Sequence, residues 1–255
     1  MPRYSREDAL SERDLELLLR AARKMEPPHD FETTLIINLT AKMGLRSGEA
    51  AHLRAEWVNT HDRMVEIPKY DPCDFGKGDH PCGYCRGRAR DYLDTHNTTI
   101  EAEARGLRDE FGDDLPDDTF HEKTTERVAE TNTTFEDALA MRWNPKTPNS
   151  ERPIPYDHDV RVQLCIEEFL DRYDKFPVSK GTLNRRVNRA AEIAGISHNV
   201  YPHALRATAG SLFAARNVSP YALMAVLGWQ DMETARSYIS ASDESAAREL
   251  RSKHR

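Results

Sequence analysis

No apolar run in this chain is long enough to cross a membrane, and the opening Met1-Pro2-Arg3-Tyr4 has no apolar signal region. The expectation is a soluble, cytoplasmic protein with no membrane partner. Cysteine is scarce as well. There are four in 255 residues, three of them between positions 73 and 85, which argues against a disulfide-stapled secreted scaffold and suits a metal site or a reduced compartment. No internal repeat is present, so a solenoid is excluded. Excess positive charge is also missing. The formal net charge is -7, whereas affinity for nucleic acid rests largely on Lys and Arg.

The distribution of charge reverses what the net charge implies. Residues 92–137 hold fourteen Asp and Glu against four Lys and Arg. Residues 178–216 instead carry Lys180, Arg185, Arg186, Arg189, Arg206 and Arg216 against Glu192 alone. One acidic segment masks a basic face, on which Lys180, Arg185, Arg186 and Arg189 are candidate DNA contacts. A cluster of this size is more often ordinary solvated helix charge, and it gains meaning from Arg206 within it. The acidic segment and the low mean hydropathy of -0.74 would also suit work at high salt.

Patterning predicts a mainly α protein with a small antiparallel β-sheet. Ser11-Glu12-Arg13-Asp14 caps a helix to about Lys24, and Phe31, Leu35, Ile36 and Leu39 continue at helical spacing to Met43, where Gly44 closes the helix. A short helix is expected over residues 47–55, then a hairpin from Trp57-Val58 to Met64–Ile67. Residues 69–138 break the pattern and read as an acidic, cysteine-containing insertion, partly helical and partly loop. Met141–Trp143 reads as a strand, Lys146–Asn149 as a turn and Arg152–Pro155 as a returning edge strand, where proline is tolerated. Asp157 or Asp159 caps a further helix, residues 180–194 form another, and Pro202 opens the one carrying His203 and Arg206. Ser219-Pro220 starts the next, Gly228 ends it, and Asp231 caps the helix that carries Tyr238.

Gly44-Leu45-Arg46-Ser47-Gly48-Glu49, His203-Ala204-Leu205-Arg206, Leu227-Gly228-Trp229 and Tyr238 together meet the needs of phosphoryl transfer. Two cations serve the non-bridging oxygens, and a phenol serves as nucleophile. Singly, each residue has a duller reading: Arg46 a surface ion pair, Trp229 a core packer, His203 a satisfied histidine, Tyr238 a half-buried helix residue with a wet hydroxyl. As an ordered set they resemble the catalytic domain of the tyrosine recombinases, the phage integrase family, from about Leu10 to Ser242 with the insertion set aside.

That resemblance implies a single catalytic domain over residues 1–255, with residues 69–138 inserted and residues 243–255 forming a tail. It implies Tyr238 as nucleophile, Arg46 and Arg206 as phosphate clamps, and Lys146, in the turn before Arg152, as the acid for the leaving oxygen. His203 would take the tyrosine proton or bond the phosphate, Trp229 would donate its indole N–H, and Glu49 would orient a catalytic side chain. The implied reaction is site-specific cutting and rejoining of double-stranded DNA through a 3′-phosphotyrosine, with no ATP and no catalytic metal. The partners implied are duplex DNA and further copies of the chain, as a tetramer on DNA. The family usually carries a helical DNA-binding domain before the catalytic one, and only about ten residues precede the first helix here. The chain is then a naturally minimal enzyme, a fragment, or one in which residues 71–138 substitute in part. Rival readings are a type IB topoisomerase-like enzyme and a non-catalytic DNA-binding regulator on the same fold.

Cys73, His80, Cys82 and Cys85 form a candidate structural zinc site, with Cys82-Gly83-Tyr84-Cys85 as its two-residue-spaced pair. The duller alternative is a reduced, metal-free loop, and a third rival makes the cluster the main function, in a zinc-dependent adaptor. Cys165, among apolar neighbours, reads as core.

Overall fold

A computed structural model describes residues 5–112, 116–143 and 151–239. The chain divides into two compact units, Met1–Lys69 with Thr147–Arg255, and Tyr70–Lys146. None of the described helices is long and apolar enough to cross a membrane.

In the first unit, α1 (Glu12–Ala22) starts where Ser11 Oγ accepts the Asp14 N–H, and buries Leu15, Leu18 and Leu19. Helix α2 (His29–Ile37) is buried on most sides, polar Glu32, Thr33 and Thr34 included, and runs into a wider π turn, Asn38–Lys42. There Met43 N–H donates to Asn38 O at 3.0 Å and Leu45 N–H to Leu39 O at 2.9 Å. Such widened turns recur where a helix must deliver the chain into a site. Gly44 follows at φ 75, and a Cβ there would lie 2.2 Å from Leu227 Cδ2. Glycine is needed twice over, for the left-handed backbone and for the room Leu227 takes.

The helix expected over residues 47–55 is one turn only, α3 (Ser47–Ala50), because the chain turns extended at Arg54, which pairs with Lys175 on the way to the sheet. Strands β1 (Val58–Asn59), β2 (Met64–Ile67) and β3 (Arg152–Pro155) pair antiparallel in that order. Val65 faces Ile154 and Ile67 faces Arg152. Its two prolines fit β3 to the sheet edge.

Helices α8 (Val160–Arg172), α9 (Lys180–Ala194), α10 (Pro202–Ala215), α11 (Pro220–Leu227) and α12 (Met232–Tyr238) complete the unit. Side chains of Asp159, Ser179, Ser219 and Asp231 cap α8, α9, α11 and α12, and left-handed Gly195 and Gly228 end α9 and α11. Helix α9 packs on α1 and α2, and α10 packs on the π turn. That packing carries Arg206 beside Gly44.

The second unit is helical: α4 (Gly83–His96), α5 (Ile100–Phe111), α6 (Asp117–Thr131) and α7 (Phe135–Trp143). Met141–Trp143, expected as a strand, is instead the last turn of α7. Its alternation is too short to resist the helix begun at Phe135, which packs on α4 and carries the unit past the expected limit at Ala138. Asn97 and Asn132 lace the two connections: each amide donates to and accepts from the backbone of the other, at 2.8–3.0 Å through Thr133 and Thr98. The apolar interior is small. Among described residues of this unit only Cys85, Ala89, Leu107 and Ala138 are buried hydrophobics.

Candidate active site

The Glu49 carboxylate is the centre of the site. Its N-terminal position on α3 lets it accept the Arg46 backbone N–H at 2.7 Å and the Arg46 Nη1 at 2.8 Å. Arg152, 103 residues further on, grips the same carboxylate with both terminal nitrogens, at 3.0 and 2.9 Å. Arg206 Nη1 stands 4.0 Å from Glu49 Oε2. Three guanidinium groups therefore surround one buried carboxylate, and the cluster keeps an excess of positive charge suited to a phosphodiester.

Each arginine is also fixed by main-chain carbonyls. Arg46 Nη2 donates to Gly228 O at 3.1 Å, Arg152 Nε to Val226 O at 2.6 Å, and Arg206 Nη1 to Gly44 O at 2.6 Å, with Arg206 Nη2 on Leu227 O. The left-handed turn at Gly228 turns the Val226, Leu227 and Gly228 carbonyls, left without helical partners, toward the cations. Arg46 and Arg206 each use two of their five N–H donors in these bonds.

Burial acts to raise the Glu49 carboxyl. The charge and hydrogen bonds of Arg152, then the charges of Arg206 and Arg46, outweigh it and bring the group down to about 2. Burial pulls the Arg206 guanidinium down to about 9, opposed by Glu49 and Tyr238 and reinforced by Arg46 and Arg152. It stays charged at neutral pH, and the Tyr238 phenol lies close enough to act on it electrostatically.

Tyr238 ends α12 and is 5% exposed. Its ring stacks on Trp229 with centroids 4.7 Å apart and an interplanar angle of 30°. It lies against α10 at Gly210, one helical turn beyond Arg206. A Cβ on Gly210 would fall 2.9 and 3.0 Å from the tyrosine ring carbons and 3.2 Å from Trp229. His203 sits exposed in the first turn of α10, three residues before the buried Arg206. Arg46, Glu49, Arg206, Trp229 and Tyr238 are thus gathered in one region of the first unit. Lys146 lies outside the described residues, as does the tail.

Gly210→Ala tests the seat of the Tyr238 ring. The added methyl must displace the Tyr238 ring, so any reaction at its hydroxyl should slow at least about tenfold, given that a 1 Å misplacement can cost a hundredfold. Alanine favours helix over glycine, so thermal stability should change little. Unchanged kinetics at that hydroxyl in a folded variant would show that the ring position is not critical.

The basic face is smaller than expected. Arg186 turns inward to an ion pair with buried Glu32, whose other oxygen accepts from Tyr173 Oη at 3.1 Å. It is therefore not a surface cation. Arg185 and Arg189 are exposed, and Lys180 is partly so. Arg189 also pairs with Glu192 at 2.9 Å.

In the second unit the sulfurs of Cys73, Cys82 and Cys85 lie within 4.8 Å of one another. His80 does not join them. It is exposed, and its carbonyl instead accepts Gly76 N–H at 2.7 Å, closing the turn between the first two cysteines.

Residues 158–245, from just after β3 to beyond Tyr238, match the phage integrase family. The resemblance carried by His203–Arg206, Leu227–Trp229 and Tyr238 holds over that segment, which does not include the Arg46 box, and beyond it the likeness is one of fold. The chain is similar to the XerA recombinase at 18% identity and TM-score 0.52, over 97% of this chain and 65% of that one. It is similar to the XerH site-specific recombinase bound to difH substrate at 15% identity and TM-score 0.51, covering 94% and 52%. With the Tn1549 transposon integrase in complex with a circular intermediate DNA the values are 14%, 0.56, 95% and 65%. The chain thus spans between half and two thirds of these solved structures and shares their fold. Among curated proteins none matches the sequence.

Proposed function

We propose that this chain is a tyrosine-type site-specific DNA recombinase that cuts and rejoins duplex DNA through Tyr238. The observation that carries the reading is the Glu49-centred cluster, which holds Arg46 and Arg206 together on the face of α10 where Tyr238 is seated. The Tyr238 oxygen attacks the scissile phosphorus, an O–P bond forms, and the bond to the 5′ oxygen breaks. Arg46 and Arg206 hold the non-bridging oxygens, and the Trp229 indole N–H adds a donor. His203 takes the phenolic proton, and Lys146 supplies one to the departing 5′ oxygen.

The phosphodiester is exchanged for a phosphotyrosine ester of similar energy, so a 5′-hydroxyl from another strand reverses the step. No ATP and no catalytic metal enter this balance. Glu49 and Arg152 do not touch substrate in this scheme: they position the clamps. Lys180, Arg185 and Arg189 contribute phosphate contacts on duplex DNA, in the cytoplasm, and further copies of the chain, four on two sites, supply the second strand pair. Binding should weaken steeply with salt, as expected where phosphate neutralisation supplies the affinity.

The test uses a pool of duplexes with a randomised core and a nick that lets the cleaved 5′ end diffuse away. The expected product is a detergent-resistant adduct joined to the 3′ phosphate, formed in chelator and without nucleotide. Sites recovered from that pool should then recombine in pairs. Adducts joined to a 5′ phosphate contradict the reading, and relaxation of supercoils without joining of two sites favours the topoisomerase-like alternative.

A further inference from the structure

We propose that Cys73, Cys82 and Cys85 bind a zinc ion that holds the second unit together, with three sulfur ligands and one nitrogen or oxygen ligand that is not His80. A tetrahedral ion with bonds of about 2.3 Å needs sulfurs about 3.8 Å apart. All three sulfurs already lie within 4.8 Å of one another, and none of the three cysteines is in a disulfide.

The eight residues between Cys73 and Cys82 look wrong for a metal pair until the turn is seen. Gly76 N–H bonds to His80 O at 2.7 Å, and Gly78 and Asp79 take left-handed φ of 68 and 57, which fold the chain back on itself. A Cβ on Gly76 would lie 2.4 Å from His80 O and 2.8 Å from Pro81 O, so the reversal is tight. It delivers Cys73 to the start of α4, where Cys82 is the cap and Cys85 stands one turn on.

Two backbone amides already point at sulfur. Cys82 N–H donates to Cys73 Sγ at 3.4 Å and Cys85 N–H donates to Cys82 Sγ at 3.5 Å. Such donors stabilise metal-bound thiolates and fix their direction, and the start of a fourteen-residue helix favours the negative charge. Two other observations ask for a staple here. The unit buries only Cys85, Ala89, Leu107 and Ala138 as hydrophobics among its described residues, and its surface is acidic. Domains with so little core commonly rely on a metal or disulfides. The fourth cysteine belongs elsewhere: Cys165 is in the first unit, where its sulfur accepts Asn38 Nδ2 at 3.3 Å and burial pushes its thiol up to about 11.

The experiment is metal analysis of the full chain purified from zinc-supplemented cells, with X-ray absorption at the zinc edge. About one zinc per chain is expected, with three sulfurs and one lighter ligand. Cys165→Ser and His80→Ala should keep the ion, whereas Cys82→Ser should lose it. Chelation of the wild-type chain should raise amide exchange across α4–α7. A metal-free chain with four titratable thiols, a Cys73–Cys82 disulfide, a four-sulfur shell, or zinc kept by the Cys73, Cys82 and Cys85 triple serine variant would each overturn the proposal. None of these readouts depends on DNA cleavage, so the metal site and the recombinase reading stand or fall separately.

Discussion

Tyr238→Phe should bind duplex DNA as the unaltered chain does and form no covalent adduct, a loss on the order of ten-thousandfold or more, as for other removed nucleophiles. The substitution takes away one oxygen and leaves the ring. A phenylalanine ring keeps the stack on Trp229 and the seat against Gly210, so the fold should be retained within about 1 kcal/mol. A gel-shift assay reads binding, and a labelled nicked duplex reads attachment. An adduct in the phenylalanine variant would place the nucleophile elsewhere.

Glu49→Gln should have the largest effect on stability. The carboxylate is 7% exposed and faces Arg46, Arg152 and Arg206, so its neutral replacement leaves buried cations without their counter-charge. Breaking one partner of a buried ion pair typically costs about 3–5 kcal/mol. Under the proposed reaction, attachment to DNA should also collapse, since Arg46 and Arg206 lose their anchor. Denaturant midpoints measured against pH give a second, signed readout. The Glu49 carboxyl is depressed from an ordinary 4.5 to about 2, so its contribution is complete above 4.5 and is lost as pH falls through 2. The wild-type chain should lose stability over that interval, and the glutamine variant should lose less. Equal acid sensitivity in both would mean that Glu49 is not the group holding the cations together.

Much of the fold is legible in the sequence because the signals are local. Ser11, Asp159, Ser219 and Asp231 cap where their side chains and spacing say they should, and Gly228 ends a helix by taking a left-handed φ. The arginine and tyrosine boxes are short runs tied to such boundaries, so their gaps survive in sequence. What sequence hides is set by pairing across the chain. Arg186 looks like surface charge until the buried Glu32 on α2 meets it.

Arg152 reads in sequence only as the start of an edge strand. Its alternation with Ile154 does carry a signal, because period two puts both on the buried face, where an arginine needs a carboxylate. Gly210 can be found as the position one turn beyond Arg206 without a side chain, but the ring that fills the gap comes from another helix. The turn that brings Cys73 to Cys82 rests on backbone conformations at Gly78 and Asp79 that no ligand-spacing rule contains.

A structure of the chain on a cleaved site with orthovanadate between the DNA ends would decide whether these groups form one phosphoryl-transfer centre. The expected result is vanadium bonded to Tyr238 Oη at an apex, with equatorial oxygens in hydrogen-bond reach of both Arg46 and Arg206. Vanadium bonded to a different residue, or held by neither guanidinium, would contradict the account.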